Sequence, residues 1–229
     1  KHIKTINENT KIICISGHNE EKNIQRFLES YAIQTVKVEA FIIVDGGSTD
    51  HSTQLINHFK QEHPELNIEL IIDNTCSKKI VEGPIARGRN IAIKAAKSDY
   101  IIATDAGCIL DKNWVKNISS PFLIAKVDVV SGWYEPLVEN KFQALYANLF
   151  MPKKKDIDPN KFLPSSRSIG FKRNCWEKVN GYPENTFTAE DTLFDLNLKK
   201  IGFRFHFAAD AVVYWECPKN KQETMEKYY

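Results

Sequence analysis

Three aspartates, Asp45, Asp73 and Asp105, close the apolar runs "FIIVD", "IELIID" and "YIIATD". A buried strand ending in a carboxylate delivers it to the edge of a sheet, and three such ends suggest a polar site along one edge. A carboxylate there can accept hydrogen bonds from a base or a ribose. It can equally satisfy the amides of its own strand–turn–helix corner. "VDGGSTDHS" leaves both readings of Asp45 open, with Gly46-Gly47 permitting a tight turn and Ser48 or Asp50 able to cap a helix. "CISGHNEEKN" sets His18 after another strand, where an imidazole can stack on a base or stand in solvent. "GPIARGRN" opens a helix with Arg87 and Arg89 and matches neither a P-loop nor a dinucleotide fingerprint. Helix-start amides and guanidinium groups suit a pyrophosphate, against the plain alternative of a solvated first turn.

"FTAEDTLFDLNL" holds adjacent carboxylates, Glu190 and Asp191, just ahead of an amphipathic helix. Neighbours on a helix point about 100° apart, so the two are expected to do different jobs. One can cap or hold the loop while the other enters a cleft as a base; a like-charged neighbour helps a carboxylate accept a proton near neutral pH. Helix capping with a favourable dipole is the competing account. Trp133 and Tyr134 follow a strand and either form a stacking platform for a sugar ring or cover the core. "PKKKD" is read as a solvated loop, with phosphate or anionic lipid as the alternative.

The elements that position these residues alternate in the first half: strand "KIICIS", helix "EEKNIQRFLESY", strand "AFIIVD", helix "STQLINHFKQEH", strand "IELIID", helix "IARGRNIAIKAAK", strand "YIIATD". The first helix carries Ile24, Phe27, Leu28 and Tyr31 on one face. Continuous apolar strands between helices predict a mostly parallel central sheet covered on both faces, an α/β fold with its crevice beyond the carboxyl ends of the strands. The second half is less regular. It reads as a strand "VDVVSGWYEP" leading to an aromatic loop, a helix "KFQALYANLF", a proline-broken loop through Pro152, Pro159 and Pro164, a strand "SIGFKR" and a helix "RNCWEKV". A helix "DTLFDLNLKKIG" with a glycine stop and two closing strands in "FRFHFAADAVVYWE" follow. No linker, repeat or low-complexity tract divides the chain, so residues 1–229 are read as a single domain with a nucleotide-style half over about 11–110 and a second, pocket-shaping half over about 111–217.

The composition supports this frame. The chain has 229 residues, 42% hydrophobic and 26% charged, enough for a real core, and its net charge of +2 gives no reason to expect a nucleic-acid partner. Five dispersed cysteines, Cys14, Cys76, Cys108, Cys175 and Cys217, include no C-x-x-C pair and point to a reducing compartment. No run reaches the roughly 18 apolar residues of a membrane span. The chain starts without methionine and stops inside the helix-like "KQETMEKYY", which suggests a piece of a longer protein and leaves membrane association outside these residues open.

Taken together, "IICISGHNEEKNI", "FIIVDGGSTDHS", "GPIARGRNIAIKAAKSDYIIATDAG", "GFKRNCWEKVNGYPE" and "AEDTLFDLNLKKIG" resemble, in order and over nearly the whole chain, a family 2 glycosyltransferase with the GT-A fold. The resemblance implies inverting transfer of a sugar from a nucleotide-sugar, most often a UDP-sugar, to a glycan, lipid-linked or protein acceptor, in the cytoplasm or at the cytoplasmic face of a membrane. It places Asp45 by the base, with His18 where the family commonly has a base-contacting tyrosine. Glu20, Arg87 and Arg89 join the donor-binding set, with Arg89 near the phosphates. Asp105 matches the first aspartate of the D-x-D motif, facing ribose or metal. Asp191 matches the base that deprotonates the acceptor and Glu190 its partner, while Trp133 and Tyr134 fall to the acceptor side. Gly107 stands where the second D-x-D aspartate would ligate the metal, and Trp215 stands near the final strand where many relatives have a histidine. Three accounts then remain: Asp105 and the donor diphosphate hold a hydrated Mg²⁺ or Mn²⁺, arginines or a lysine replace the metal, or the protein binds donors poorly and is not an active enzyme. The first is the expectation taken forward. A sugar nucleotidyltransferase would need a glycine-rich basic loop after the first strand, which "SGHNEEKN" is not.

Overall fold

The computed structural model describes the backbone of residues 11–124 and 126–228. Eight strands form one sheet: β1 (Lys11–Gly17), β2 (Ala40–Asp45), β3 (Ile68–Ile72), β4 (Tyr100–Ala103), β5 (Cys108–Leu110), β6 (Val129–Leu137), β7 (Ile169–Lys172) and β8 (Phe205–Glu216). Their order is β3-β2-β1-β4-β7-β6-β8-β5. The first four strands run parallel, as predicted from the βα alternation. Beyond β4 the sheet turns mixed: β7 is antiparallel to β4 and β6, β8 is parallel to β6, and β5 is antiparallel to β8.

Alternate residues of each central strand feed two cores, because successive side chains leave opposite faces. Phe41 and Ile43 of β2 and Ile102 of β4 pack beneath helices α1 (Ile24–Ala32), α2 (Ser52–Glu62) and, further on, α4 (Trp114–Ser119). On α1 the predicted stripe of Ile24, Phe27, Leu28 and Tyr31 is buried. Ile42 and Val44 of β2, with Ile101 and Ala103 of β4, pack against α3 (Pro84–Ala95) on the other face. Each such side chain contributes about 1.5–3 kcal/mol on burial. This second core also takes Cys175 and Trp176 of α7 (Arg173–Lys178) and Phe194 and Leu198 of α8 (Glu190–Ile201). The short α5 (Pro121–Ile124), α6 (Lys141–Phe150) and α9 (Lys221–Tyr228) complete the helices named here.

Two backbone features set the site. Gly88 lets α3 lie directly on the end of β1, since a Cβ there would come within 2.5 Å of the Ser16 Cβ. Gly202, at φ +95°, stops α8 by returning its N–H to the Leu198 and Lys199 carbonyls.

The second half departs from the sequence reading in three places. "FRFHFAADAVVYWE" forms one strand, β8, with a register irregularity where Ser131 and Trp133 of β6 pair with it. Trp133 and Tyr134 lie within β6 and not in a loop after it. Strand β5 and helices α4 and α5 carried too short a pattern to be read. The thiols of Cys76, Cys108 and Cys175 are free and buried, and Cys217 is buried beside the Met151 sulfur, while the Cys14 side chain lies outside the described residues. No helix among the described residues is long and apolar enough to cross a membrane.

Candidate active site

Strand register brings the chemistry to one edge. Gly17 of β1 pairs with Asp45 of β2, so His18 and Gly46 leave the sheet side by side. Ala103 of β4 pairs with Ile169 of the antiparallel β7. The segment entering β7, residues 165–168, therefore arrives where Thr104 and Asp105 depart.

Asp45 is consumed by its own corner. Its Oδ1 accepts the Gly47 and Ser48 amides at 2.9 and 2.7 Å, and its Oδ2 accepts the Ser48 hydroxyl at 2.5 Å. Asp73 is held the same way by the Thr75 amide and hydroxyl. Neither predicted residue is the N-cap of α2, which is His51 without a side-chain cap bond; Asp50 accepts the Ser52 amide and hydroxyl just ahead of the helix, while Ser48 serves the corner. A clasp ties this corner to the β1 loop: the Asn19 amide donates to Ser48 Oγ, and Asn19 Oδ1 accepts the Thr49 amide. His18 stands exposed on that clasp. Glu20 lies below it, its amide donating to Ser52 Oγ. Burial pushes the Glu20 carboxyl up to about 7; the negative charges of Asp105 and Asp50 add to this against a hydrogen bond from Asn23.

Asp105 is held differently. Arg89, 3% exposed, donates one Nη to Asp105 Oδ1 and the other to Glu190 Oε1, both at 2.6 Å. The Tyr182 ring lies 5.5 Å from the guanidinium carbon, and the Arg89 Nε is buried without an acceptor. Burial opposes the charge on Arg89, but Asp105 and Glu190 hold it and raise its pKa above the ordinary arginine value. Arg89 thus spends both Nη groups bridging two carboxylates. Arg87, two residues earlier and about 200° around the helix, faces away to Glu184 at 3.8 Å. The two arginines do not converge.

Glu190 and Asp191 separate as their angular spacing predicts. Glu190 is locked by Arg89. Asp191 accepts the Thr192 amide at 2.8 Å and the Ser166 amide at 3.4 Å, and forms no ion pair among the described residues. One turn on, Asp195 is fully buried with both oxygens lacking a donor; burial, then the Asp191 charge, pushes its carboxyl well above the usual carboxylate range, against Lys199.

Residues 165–168 join these groups, and the sequence reading singled out none of them. Ser166 Oγ donates to the Tyr182 hydroxyl while its amide reaches Asp191. The Arg167 Nε stands 3.9 Å from Asp105 Oδ2, and its guanidinium carbon lies 5.2 Å from the Tyr134 ring and 4.4 Å from the Trp215 ring. Tyr134 and Trp215 therefore hold an arginine. Trp133 is 1% exposed, donates to Glu135 and packs on Phe162 and Phe207. It covers the core, one of the two readings that its sequence left open. An arginine just ahead of a strand was the available signal for Arg167. Only the β4–β7 pairing gives it meaning.

The expected hydrated Mg²⁺ or Mn²⁺ meets a poor donor set. Asp105 already shares the Arg89 guanidinium with Glu190 and is flanked by Arg167, and Gly107 contributes no side chain. No group of three or more His, Cys, Asp or Glu residues among the described residues is arranged to hold a metal ion. These residues do not fit a divalent ion bound in the D-x-D manner.

Comparison with known proteins agrees with this architecture. The family model described as glycosyl transferase family 2 matches residues 12–179, well over half the chain. An O-antigen chain rhamnosyltransferase, RfbN of Salmonella typhimurium, is 26% identical over 95% of this chain and 69% of its own length. The poly(ribitol-phosphate) β-N-acetylglucosaminyltransferase TarS of Staphylococcus aureus is 25% identical over 95% of this chain; the match spans 37% of TarS, so this chain covers little more than a third of that relative. In structure, TarS 1-349 in complex with UDP superposes with a TM-score of 0.71 at 19% identity, over 95% of this chain and 62% of that one. A mannosyltransferase from Pyrobaculum calidifontis, in complex with GDP-Man and Mn²⁺, gives 0.70 at 20% identity, over 93% and 58%. The fold is that of the GT-A glycosyltransferases, and the chain belongs to glycosyl transferase family 2.

Proposed function

We propose that this domain transfers a sugar from a nucleotide-sugar, of the UDP-sugar class, to a hydroxyl of a glycan acceptor, free, lipid-linked or carried on protein, with inversion and with Asp191 as general base. The observation that carries the reading is the unequal treatment of adjacent carboxylates. Glu190 is held by Arg89, whereas Asp191 is oriented by two amides and forms no ion pair among the described residues.

A sugar hydroxyl becomes a nucleophile as its proton is accepted. Asp191 takes that proton while the hydroxyl oxygen bonds to the anomeric carbon from the face opposite the diphosphate; the carbon–oxygen bond to phosphate breaks and its electron pair leaves on the nucleoside diphosphate. Attack from the opposite face inverts the centre. His18, Glu20 and Asp45 are assigned to the nucleoside end of the donor and Tyr134 to the acceptor side. Arg89 and Glu190 are positioning residues that fix Asp105 relative to the start of α8. A relative named as an O-antigen chain rhamnosyltransferase favours a glycan acceptor, and a neighbouring TarS complex contains UDP-GlcNAc. The free thiols of Cys76, Cys108 and Cys175 favour a reducing, cytoplasmic setting.

The test is hydrolysis or transfer with a panel of UDP- and GDP-sugars. Asp191→Asn is expected to lower turnover about 10²–10⁴-fold with UDP affinity unchanged. Unaltered turnover removes Asp191 from the reaction, and tight donor binding without turnover in the wild-type chain makes the domain a binding module.

A further inference from the structure

We propose that Arg167, rather than a divalent ion, meets the diphosphate of the donor and stabilises the charge that develops on it as the sugar leaves. The proposal rests on the glycosyl-transfer reading above. Four observations carry it.

The first is position. The pairing of Ala103 with Ile169 sets Arg167 beside Asp105, at the strand end that the sequence offered as a metal site. The second is restraint. The guanidinium lies against the Tyr134 and Trp215 rings and donates to Ser165 Oγ at 3.0 Å, so its plane is fixed before any ligand arrives. A stacked, pre-oriented fork suits the paired oxygens of a phosphate. Trp215, the residue standing where many relatives have a histidine, is one of the two rings that clamp it.

The third observation is an unspent donor. The Arg167 Nε is buried without a hydrogen-bond acceptor, since Asp105 Oδ2 at 3.9 Å is beyond bonding range. A buried donor without a partner costs about 1–3 kcal/mol, and an anionic oxygen entering this space would remove that cost. The fourth is electrostatic. With Arg89 already on Asp105 Oδ1, a cation bound to Oδ2 would face a second guanidinium, whereas an anion would find in Arg167 a guanidinium that no carboxylate hydrogen-bonds. During transfer the electron pair of the breaking carbon–oxygen bond passes to a phosphate oxygen. Arg167 answers that charge through its N–H groups and keeps its own protons.

The experiment is calorimetric titration of the chain with UDP, GDP, ADP and dTDP, and with the corresponding nucleosides, in MgCl₂, in MnCl₂ and in EDTA. At least one diphosphate is expected to bind with the same Kd in EDTA as with metal. Arg167→Ala should weaken that diphosphate roughly 10- to 100-fold while leaving the nucleoside affinity in place. Arg167→Lys, which keeps the charge, should retain more of it. Diphosphate binding that disappears in EDTA, or equal losses for diphosphate and nucleoside in Arg167→Ala, overturns the role of Arg167 and leaves glycosyl transfer standing. Failure of every diphosphate to bind in every buffer overturns the glycosyl-transfer reading beneath it.

Discussion

Asp45 and Asp105 follow parallel strands at the same edge of the sheet, yet opposite means hold them. Asp45 is satisfied within four residues of chain by the amides of Gly47 and Ser48 and the Ser48 hydroxyl. Asp105 is satisfied from afar, by Arg89 on α3 and Arg167 ahead of β7, and Arg89 reaches on to Glu190 on α8. The first arrangement is a corner that forms whenever its turn forms. The second is a charge balance that exists only once three elements have packed, and an entering ligand can redistribute it. One end of the proposed site is therefore rigid by local bonding, and the other is poised by long-range electrostatics.

Arg89→Met is the strongest way to break this contrast. It leaves Asp105 and Glu190 facing each other without their shared buried cation, and removing one partner of a buried ion pair costs about 3–5 kcal/mol. Equilibrium urea unfolding should show that loss. Donor turnover should fall with it, because the start of α8 loses its tie to the β4 edge. Arg89→Lys should recover little, since a point charge cannot bridge two carboxylates as a fork does. A loss below about 1 kcal/mol would mean that the two ends of the site are held alike.

Asp45 gives a smaller effect and separates structure from binding. Asp45→Ala strips acceptors from two turn amides and should cost about 1–3 kcal/mol. Asp45→Asn keeps an Oδ1 for both amides, so it should cost less than Asp45→Ala in the same unfolding assay. Uridine affinity measured in Asp45→Asn then reads the remaining role: weaker binding in a stably folded variant assigns the carboxylate to the base or ribose. Unchanged affinity reduces Asp45 to the corner alone.

The same contrast explains what the sequence could disclose. The parallel half was legible because each strand is buried on both faces and each helix, α1 above all, carries its apolar stripe within a dozen residues. The different surroundings of Glu190 and Asp191 followed from their angular spacing. That spacing also bears on Arg87 and Arg89, whose separation of about 200° lets only one of them face the strand ends. Arg167 was illegible because its meaning comes from Ile169 pairing with Ala103, 66 positions earlier in the chain. β5 has three residues, too few for a period, and the irregular pairing around Trp133 hid both the continuity of β8 and the burial of that ring.

Glu20 offers the smallest effect and the finest test of local holding, because it sits between the two arrangements. Its amide belongs to the clasp beside Asp45, while the charge of Asp105 reaches its carboxyl. Its folded pKa is raised from 4.5 to about 7, chiefly by burial. The folded state therefore binds a proton more tightly than the unfolded chain does, and stability falls as pH rises between these values. Below pH 4.5 the group is neutral in both states and contributes nothing to this dependence. Above pH 7 the full cost of burying its charge is present. Glu20→Gln removes the titration while keeping a side chain that can still bond Asn23. Its Tm should match the wild type near pH 4.5 and exceed it by a few degrees at pH 8, each kcal/mol being worth about 2–4 °C in a chain of this size. A Tm difference that stays flat across this range would show that the Glu20 carboxyl titrates in the folded protein as it does in the unfolded chain, and that neither burial nor the nearby Asp105 charge governs it.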